Sequence, residues 1–140
     1  MSRTVLVDTG PLVAFLSAAD AYHEWVREQW EQLSPPMLTC EAVITEAAFL
    51  LQRQRKSRAA LFELIRRGVV RMDFALMEEL TAVAALVGRY GNIPMSLADA
   101  CLVRMSELWA DSRIFTLDED FRLYRRHGRQ AIPLIAPGRR

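Results

Sequence analysis

The sequence has little of what several common kinds of site require. Its 140 residues include two cysteines, two histidines and one lysine. Cys40 and Cys101 do not form a Cys-x-x-Cys pair, so we do not expect a zinc site. Both lie in apolar segments, where a free cysteine behaves as a small core hydrophobe. His23 and His127 match no catalytic motif, and we expect surface or capping roles for them.

Long apolar runs are also absent. No stretch approaches the roughly 20 residues of a membrane-spanning helix. The N-terminus lacks the apolar segment and the small-residue cleavage site of a signal peptide, so we expect a cytoplasmic protein without a membrane partner. A content of 51% hydrophobic and 25% charged residues is typical of a globular protein. We expect residues 1–136 to form a single domain and residues 137–140 to be a frayed tail.

The net charge of +1 does not indicate a nucleic-acid-binding protein, but the distribution of charge is more informative. Of the 18 basic residues, only Lys56 is a lysine. Arginines cluster near the C-terminus at Arg122, Arg125, Arg126 and Arg129. Such a cluster fits bidentate contacts with RNA phosphates. A solvated face in a protein from a GC-rich genome is an equal alternative.

Apolar runs rich in β-formers alternate with helical periodicity along the chain. We predict strands at residues 4–8, 37–40, 69–74, 113–117 and 131–135. The predicted helices span residues 12–18, 21–33, 41–55, 57–67, 76–90, 96–110 and 120–126. Asp20, Ser57 and Ser96 are the expected N-caps of three of them. This alternation indicates an α/β fold with a parallel sheet.

Four carboxylates stand in apolar surroundings in the sequence. Asp8 ends the apolar run at residues 5–7, and Asp118 follows another short run. Glu46 and Asp99 lie inside apolar stretches. A buried carboxylate without a partner is costly, and none of the four has a Lys or Arg beside it in sequence. They therefore suggest a shared partner, for which a hard divalent cation is the simplest candidate.

Parallel-sheet geometry gives these carboxylates a place to meet. Asp8 and Asp118 each follow the C-terminal end of a predicted strand, and this edge of an open α/β sheet is where ligands bind. Helices that follow strands begin at the same edge, so Glu46 and Asp99 can reach it as well. An all-oxygen ligand set favours Mg²⁺ or Mn²⁺ over zinc. Such a site can activate a water and stabilise charge on a phosphodiester.

Four motifs occur in order over essentially the whole chain: VDTG at residues 7–10, TE at 45–46, LADA at 97–100 and TLDEDF at 116–121. With these motifs the chain resembles the PIN domain family, most closely the VapC-type toxins of bacterial toxin–antitoxin pairs. The resemblance implies a PIN-like three-layer α/β/α sandwich with a five-stranded parallel sheet. It also implies Mg²⁺- or Mn²⁺-dependent endoribonuclease activity on RNA, a homodimer and a small antitoxin partner.

The resemblance also assigns roles to the four carboxylates. Asp8, Asp99 and Asp118 match metal-binding acids of the family. Glu46 matches the helix glutamate, which binds the metal directly or through water, or positions the attacking water.

Further residues match supporting positions. Thr9 and Thr116 match hydroxyls that support the acids or water, whereas Asp120 either joins the acidic pocket or, as we prefer, caps a helix. Arg122, Arg125 and Arg126 are candidate RNA contacts at the mouth of the cleft. Three aromatic residues have helical spacing that favours a core or partner interface over stacking on RNA bases: Tyr22, Trp25 and Trp30.

Two other functions remain open from the sequence. A housekeeping RNA-processing PIN nuclease would share the chemistry without an antitoxin. A non-catalytic PIN-like interaction module would have no need of all four acids.

Overall fold

Five parallel strands form the centre of the fold. The computed structural model describes residues 3–138, so residues 1 and 2 of the expected domain and residues 139 and 140 of the expected tail lie outside the described residues. The described chain contains, in order, β1 (Thr4–Val7), β2 (Met37–Thr39), β3 (Val70–Met72), β4 (Ser112–Phe115), β5 (Arg125–Arg126), β6 (Gln130–Ala131) and β7 (Leu134–Ile135). One parallel sheet has the order β3-β2-β1-β4-β7. The predicted five-stranded parallel sheet is confirmed.

Helices flank this sheet. They are α1 (Thr9–Leu16), α2 (His23–Glu31), α3 (Glu41–Leu50), α4 (Arg55–Arg66), α5 (Leu76–Arg89) and α6 (Leu97–Leu108). α1 contacts α2, α3 and α4, whereas α5 packs along α6, which contacts β1 and β4. The predicted α/β/α sandwich is confirmed. Within residues 3–138, no helix combines the length and the apolarity required to cross a bilayer.

The central strand β1 and the helix α6 each contribute a run of consecutive buried residues to the core. β1 pairs with β2 on one edge and β4 on the other, and its Leu6 and Val7 are completely buried. Such a strand is apolar throughout because both of its faces are covered. α6 is buried over most of its surface, which accounts for its small and apolar residues. Cys40 and Cys101 are free and buried, as predicted for core cysteines.

Three predicted helix starts are wrong because local hydrogen bonds place the starts elsewhere. α1 begins at Thr9 rather than residue 12, since the Asp8 side chain accepts the Thr9 N–H and caps the helix. α2 begins at His23, three residues after Asp20, so Asp20 is not its N-cap. Ser57 lies inside α4, and its hydroxyl donates to the Leu16 carbonyl at 2.8 Å instead of capping the helix.

Three further predicted elements were wrong. The helix predicted for residues 41–55 ends at Leu50, because residues 52–54 are exposed and add nothing to its buried stripe. The predicted helix at 120–126 is a 3₁₀ turn (Glu119–Arg122) followed by the antiparallel pair β5–β6. His127 and Gly128 have φ values of 50° and 78°, so this segment cannot continue as a helix. The predicted strand at 131–135 is divided between β6 and β7.

Candidate active site

Asp8 is the most deeply placed of the four acids. It follows β1 directly, and its own N–H donates to the Phe115 carbonyl of β4 at 2.9 Å. One carboxylate oxygen accepts the Thr9 N–H at 2.7 Å and the other accepts the Thr116 hydroxyl at 2.7 Å. Burial, with a smaller contribution from the charges of Asp99 and Asp118, raises the pKa of Asp8 to about 7.

Asp118 is tied to Asp8 through a shared threonine. The Thr116 hydroxyl that donates to Asp8 also accepts the Asp118 N–H at 3.0 Å. The two strand ends are adjacent, because β1 and β4 pair with Val7 opposite Phe115. The Asp118 carboxylate accepts the Asp120 N–H at 2.9 Å and caps the 3₁₀ turn. Asp118, and not Asp120 as we preferred, is therefore the cap.

Asp99 begins α6 in a capping box. The Ser96 hydroxyl accepts the Asp99 N–H at 3.0 Å, and the Ser96 N–H donates to Asp99 Oδ2 at 3.3 Å. The predicted cap at Ser96 is confirmed. Burial raises the pKa of Asp99, and the charge of Asp118 acts in the same direction. The helix start thus fixes this carboxylate at the edge of the sheet.

Tyr124 is a site residue that the sequence reasoning missed. Its side chain is completely buried, and its hydroxyl shares its one proton between Asp99 Oδ2, at 3.1 Å, and the Pro94 carbonyl. Burial raises the pKa of Tyr124, so the hydroxyl stays a donor. One available signal was the spacing of Phe121 and Tyr124, which is typical of a buried face. A buried tyrosine hydroxyl needs a hydrogen-bond partner.

Glu46 completes the set from α3. The Thr9 hydroxyl donates to Glu46 Oε2 at 3.1 Å, so Thr9 links Glu46 to Asp8. Glu46 and Asp118 are exposed, in contrast to Asp8 and Asp99, which are 6% and 9% exposed. The expectation that all four acids are buried was therefore wrong for two of them. The expectation holds for Asp8 and Asp99, and burial raises the pKa of both.

One cavity of about 480 Å³ contains all four carboxylates. Thr9 and Asp120 also line it, whereas the Thr116 hydroxyl supports it from beneath. Burial raises the pKa of Asp120 too, and the neighbouring charge of Asp118 adds to this effect. The structure therefore brings the acids together at the C-terminal edge of the sheet, as the sequence predicted. Such crowding of negative charge is unfavourable unless protons or cations offset it.

The donor chemistry of this cavity fits a hard divalent cation. Its candidate ligands are carboxylate and hydroxyl oxygens, which Mg²⁺ and Mn²⁺ prefer, and no His or Cys lines it. Within residues 3–138, no three His, Cys, Asp or Glu side chains are grouped closely enough to hold an ion as they stand. Each acid is instead held by a hydrogen-bond donor of the protein, from Thr116, Tyr124, Thr9 or Asp120. Side-chain movement would be needed for the acids to share one ion.

The three candidate RNA-binding arginines have different surroundings. Arg125 Nη1 donates to the carbonyls of Arg122 and Tyr124. Arg126 Nη1 donates to the carbonyls of Ser106 and Ala110 at the end of α6, where the helix dipole favours a cation. These bonds hold Arg125 and Arg126 against the protein. Only Arg122 of the three lines a cavity that includes Asp118.

The other residues considered from the sequence have structural partners. Trp30 stacks on Phe15 with ring centroids 3.8 Å apart, and Trp25 meets Phe115 edge to face. His23 Nδ1 lies 2.6 Å from the Ala14 carbonyl oxygen. The packing of the two tryptophans agrees with the core role favoured by their helical spacing.

Removing the Tyr124 hydroxyl tests whether it positions Asp99. Tyr124→Phe keeps the ring but leaves Asp99 Oδ2 with only the Ser96 N–H, so we expect about ten-fold weaker Mn²⁺ binding by calorimetric titration. Tyr90→Phe is the matched control. The Tyr90 ring packs edge to face on Tyr124, but its hydroxyl accepts the Arg125 N–H and does not contact Asp99. Equal Mn²⁺ affinity in both variants would rule out the positioning role.

Comparisons with known proteins agree with this fold. The PIN domain model matches residues 5–126. Among solved structures, the Mycobacterium tuberculosis sarcin–ricin loop cleaving toxin VapC20 has a TM-score of 0.73 and 23% sequence identity, with 84% of this chain and 92% of VapC20 covered. No curated protein matches the sequence significantly. Because the family match spans most of the sequence, the chain belongs to the PIN domain family.

Proposed function

We propose that this protein is a Mg²⁺- or Mn²⁺-dependent endoribonuclease that hydrolyses RNA phosphodiester bonds. The observation that carries the proposal is the meeting of Asp8, Glu46, Asp99 and Asp118 in one cavity at the C-terminal edge of the sheet. An acidic cavity repels a phosphodiester unless a cation lies between them. Membership of the PIN family supports a nuclease, and the similarity to VapC20 supports an RNA substrate.

The proposed mechanism divides the work among the four acids. Asp8, Asp99 and Asp118 would hold the cation, and Glu46 would hold it or orient the attacking water. A bound divalent cation lowers the pKa of a water ligand and offsets charge on the phosphodiester. Thr116 fixes one Asp8 oxygen and the Asp118 backbone, so one hydroxyl links these two strand ends. The Thr9 hydroxyl keeps the exposed Glu46 carboxylate turned toward Asp8.

The biological role we propose is that of the toxin in a VapBC-type pair. Its partners would be RNA, a second copy of the chain in a homodimer, and a small antitoxin that blocks the acidic cavity. The location we propose for this activity is the cytoplasm, as expected from the sequence. A toxin should arrest growth when expressed alone, and the product of a small neighbouring gene should relieve the arrest. Cleavage without arrest or such a gene would favour the housekeeping nuclease.

The chemistry is tested by the metal dependence of RNA cleavage. Purified wild-type protein is expected to cleave a pool of cellular RNA in Mg²⁺ or Mn²⁺, to stop in EDTA and to recover when the metal is restored. The products are followed by gel electrophoresis. Cleavage that persists in EDTA would contradict the mechanism. No cleavage with either metal would favour the non-catalytic interaction module.

A further inference from the structure

A second cavity lies directly beside the acidic one. Its volume is about 710 Å³, within the usual range for sites that hold small ligands. Leu117 and Asp118 line both cavities, so the two meet at the end of β4. The second cavity continues between the start of α2 and the segment at Pro137. If an RNA strand is cleaved at the acids, a nucleotide next to the cleaved bond would therefore lie at this second cavity.

Aromatic side chains form one wall of this second cavity. Tyr22 is 46% exposed, so its ring is accessible to a ligand. Trp25 is partly buried, and its ring is braced edge to face against the core residue Phe115, with centroids 6.1 Å apart. Trp30 lies on the same helix but stacks on Phe15 and does not line the cavity. The wall thus combines one accessible ring with one braced ring, which suits stacking on a flat ligand.

The charges around the second cavity favour a neutral ligand over a phosphate. Among residues 3–138, the charged residues that line it are Asp118, Glu119 and one cation, Arg122. The Arg122 guanidinium is partly committed, because Nη2 donates to the Pro137 carbonyl at 2.7 Å and Nε lies 3.7 Å from Glu119 Oε2. Within the part of the chain that the structure describes, this lining carries more negative than positive charge, which disfavours an anion. A nucleobase is flat and neutral, and it carries polar edges for the charged groups at the rim.

We propose that this cavity is a base-stacking subsite that holds an unpaired nucleobase next to the cleaved phosphodiester. The inference rests on the proposed function, because it assumes that RNA occupies the acidic cavity. Tyr22 and Trp25 provide the stacking wall, and Asp118 marks the boundary with the acids. Single-stranded or looped RNA is the class of substrate that can supply such a base.

Binding of two oligonucleotides tests the subsite without requiring cleavage. The probes are a fluorescein-labelled oligoadenylate and the same ribose–phosphate chain without bases, bound in Mg²⁺ to the Asp99→Asn variant, which serves as a cleavage-deficient background. We expect about ten-fold tighter binding of oligoadenylate by fluorescence anisotropy, since stacking strengthens binding of each base. Adding Tyr22→Leu should remove most of this preference, and Tyr22→Phe should retain it. Tyr22 is the primary position because its half-exposed ring contributes less to the core than Trp25 does.

Phe62→Leu in the same background is the matched control. It truncates a ring of similar exposure, 44%, on α4 and outside the cavity. An unchanged preference for oligoadenylate in Tyr22→Leu would overturn the subsite. The subsite would also be overturned if Tyr22→Leu lost the binding of a protein partner and kept its binding of oligoadenylate. That result would assign the cavity to protein binding. If wild-type protein cleaves no RNA, the proposed function fails. The difference in affinity between oligoadenylate and the chain without bases still tests the subsite in that case.

Discussion

Asp99→Asn should abolish RNA cleavage, by about 1,000-fold or more, without unfolding the protein. The substitution removes a charge from the acidic cavity, and such a charge accounts for several kcal/mol of transition-state stabilisation when a cation is bound. The shape and hydrogen bonds of the site are kept. An asparagine oxygen can still accept from the Ser96 N–H and the Tyr124 hydroxyl, as Asp99 Oδ2 does. The measurement is the initial rate of RNA cleavage in Mg²⁺, beside a thermal unfolding curve.

Asp111→Asn is the control for this substitution. Asp111 precedes β4 at the opposite edge of the sheet, where its carboxylate accepts from Arg3 at 3.0 Å and is largely exposed. This exposed pair contributes little, so the variant should cleave RNA at the wild-type rate. A folded Asp99→Asn variant with more than a tenth of wild-type activity would show that Asp99 is not required for the chemistry.

The positions of Asp8 and Asp118 at the ends of strands could be predicted from the sequence alone. An almost entirely apolar run before Asp8 indicates a strand covered on both faces, and the end of such a strand meets the ends of its parallel neighbours. The pairing of β1 with β4 places Asp8 and the loop of Asp118 side by side. The start of α6 was equally predictable, because Ser96 and Asp99 have the spacing of a capping box.

Burial of individual acids was harder to predict. Glu46 has apolar neighbours in sequence, but a helix turns adjacent residues toward different sides. Val43 and Ala47 face the core, whereas Glu46 is exposed. Asp118 follows a buried strand but lies beyond its last paired residue, on a turn. Local apolarity therefore identified the elements correctly and did not determine which of their acids are desolvated.

The partners of Asp99 could not be read from local pattern at all. Tyr124 lies 25 residues away in sequence, and its contact depends on how the segment after β4 folds back over α6. Residues 120–126 of that segment were predicted to be helical. The backbone turn at His127 and Gly128 and the pairing of β5 with β6 give the segment a different structure. The second cavity depends on the same long-range packing.

The metal-free protein should lose stability as the pH rises from about 5 to about 8. The pKa of Asp8 is about 7 in the folded protein against 3.8 for an ordinary aspartate, so the folded state retains a proton that the unfolded state releases. The full contribution of this retained proton is present below about pH 4 and is lost as the pH rises through 7. Between pH 5 and pH 8 the loss is on the order of 2–3 kcal/mol for Asp8. The raised pKa of Asp99 acts in the same direction.

Urea unfolding in EDTA at the two pH values measures this effect, and Asp8→Asn provides the decisive comparison. An asparagine cannot ionise, yet its side-chain oxygen can still accept the Thr9 N–H or the Thr116 hydroxyl. Asp8→Asn should therefore be at least as stable as wild type at the higher pH and should flatten the pH dependence. Mg²⁺ or Mn²⁺ should restore the wild type at the higher pH and help the variant less, because binding to the folded state alone stabilises it. Identical pH profiles of wild type and variant in EDTA would show that Asp8 does not titrate as a buried acid. Identical profiles would also remove the reason to expect that a cation relieves its burial.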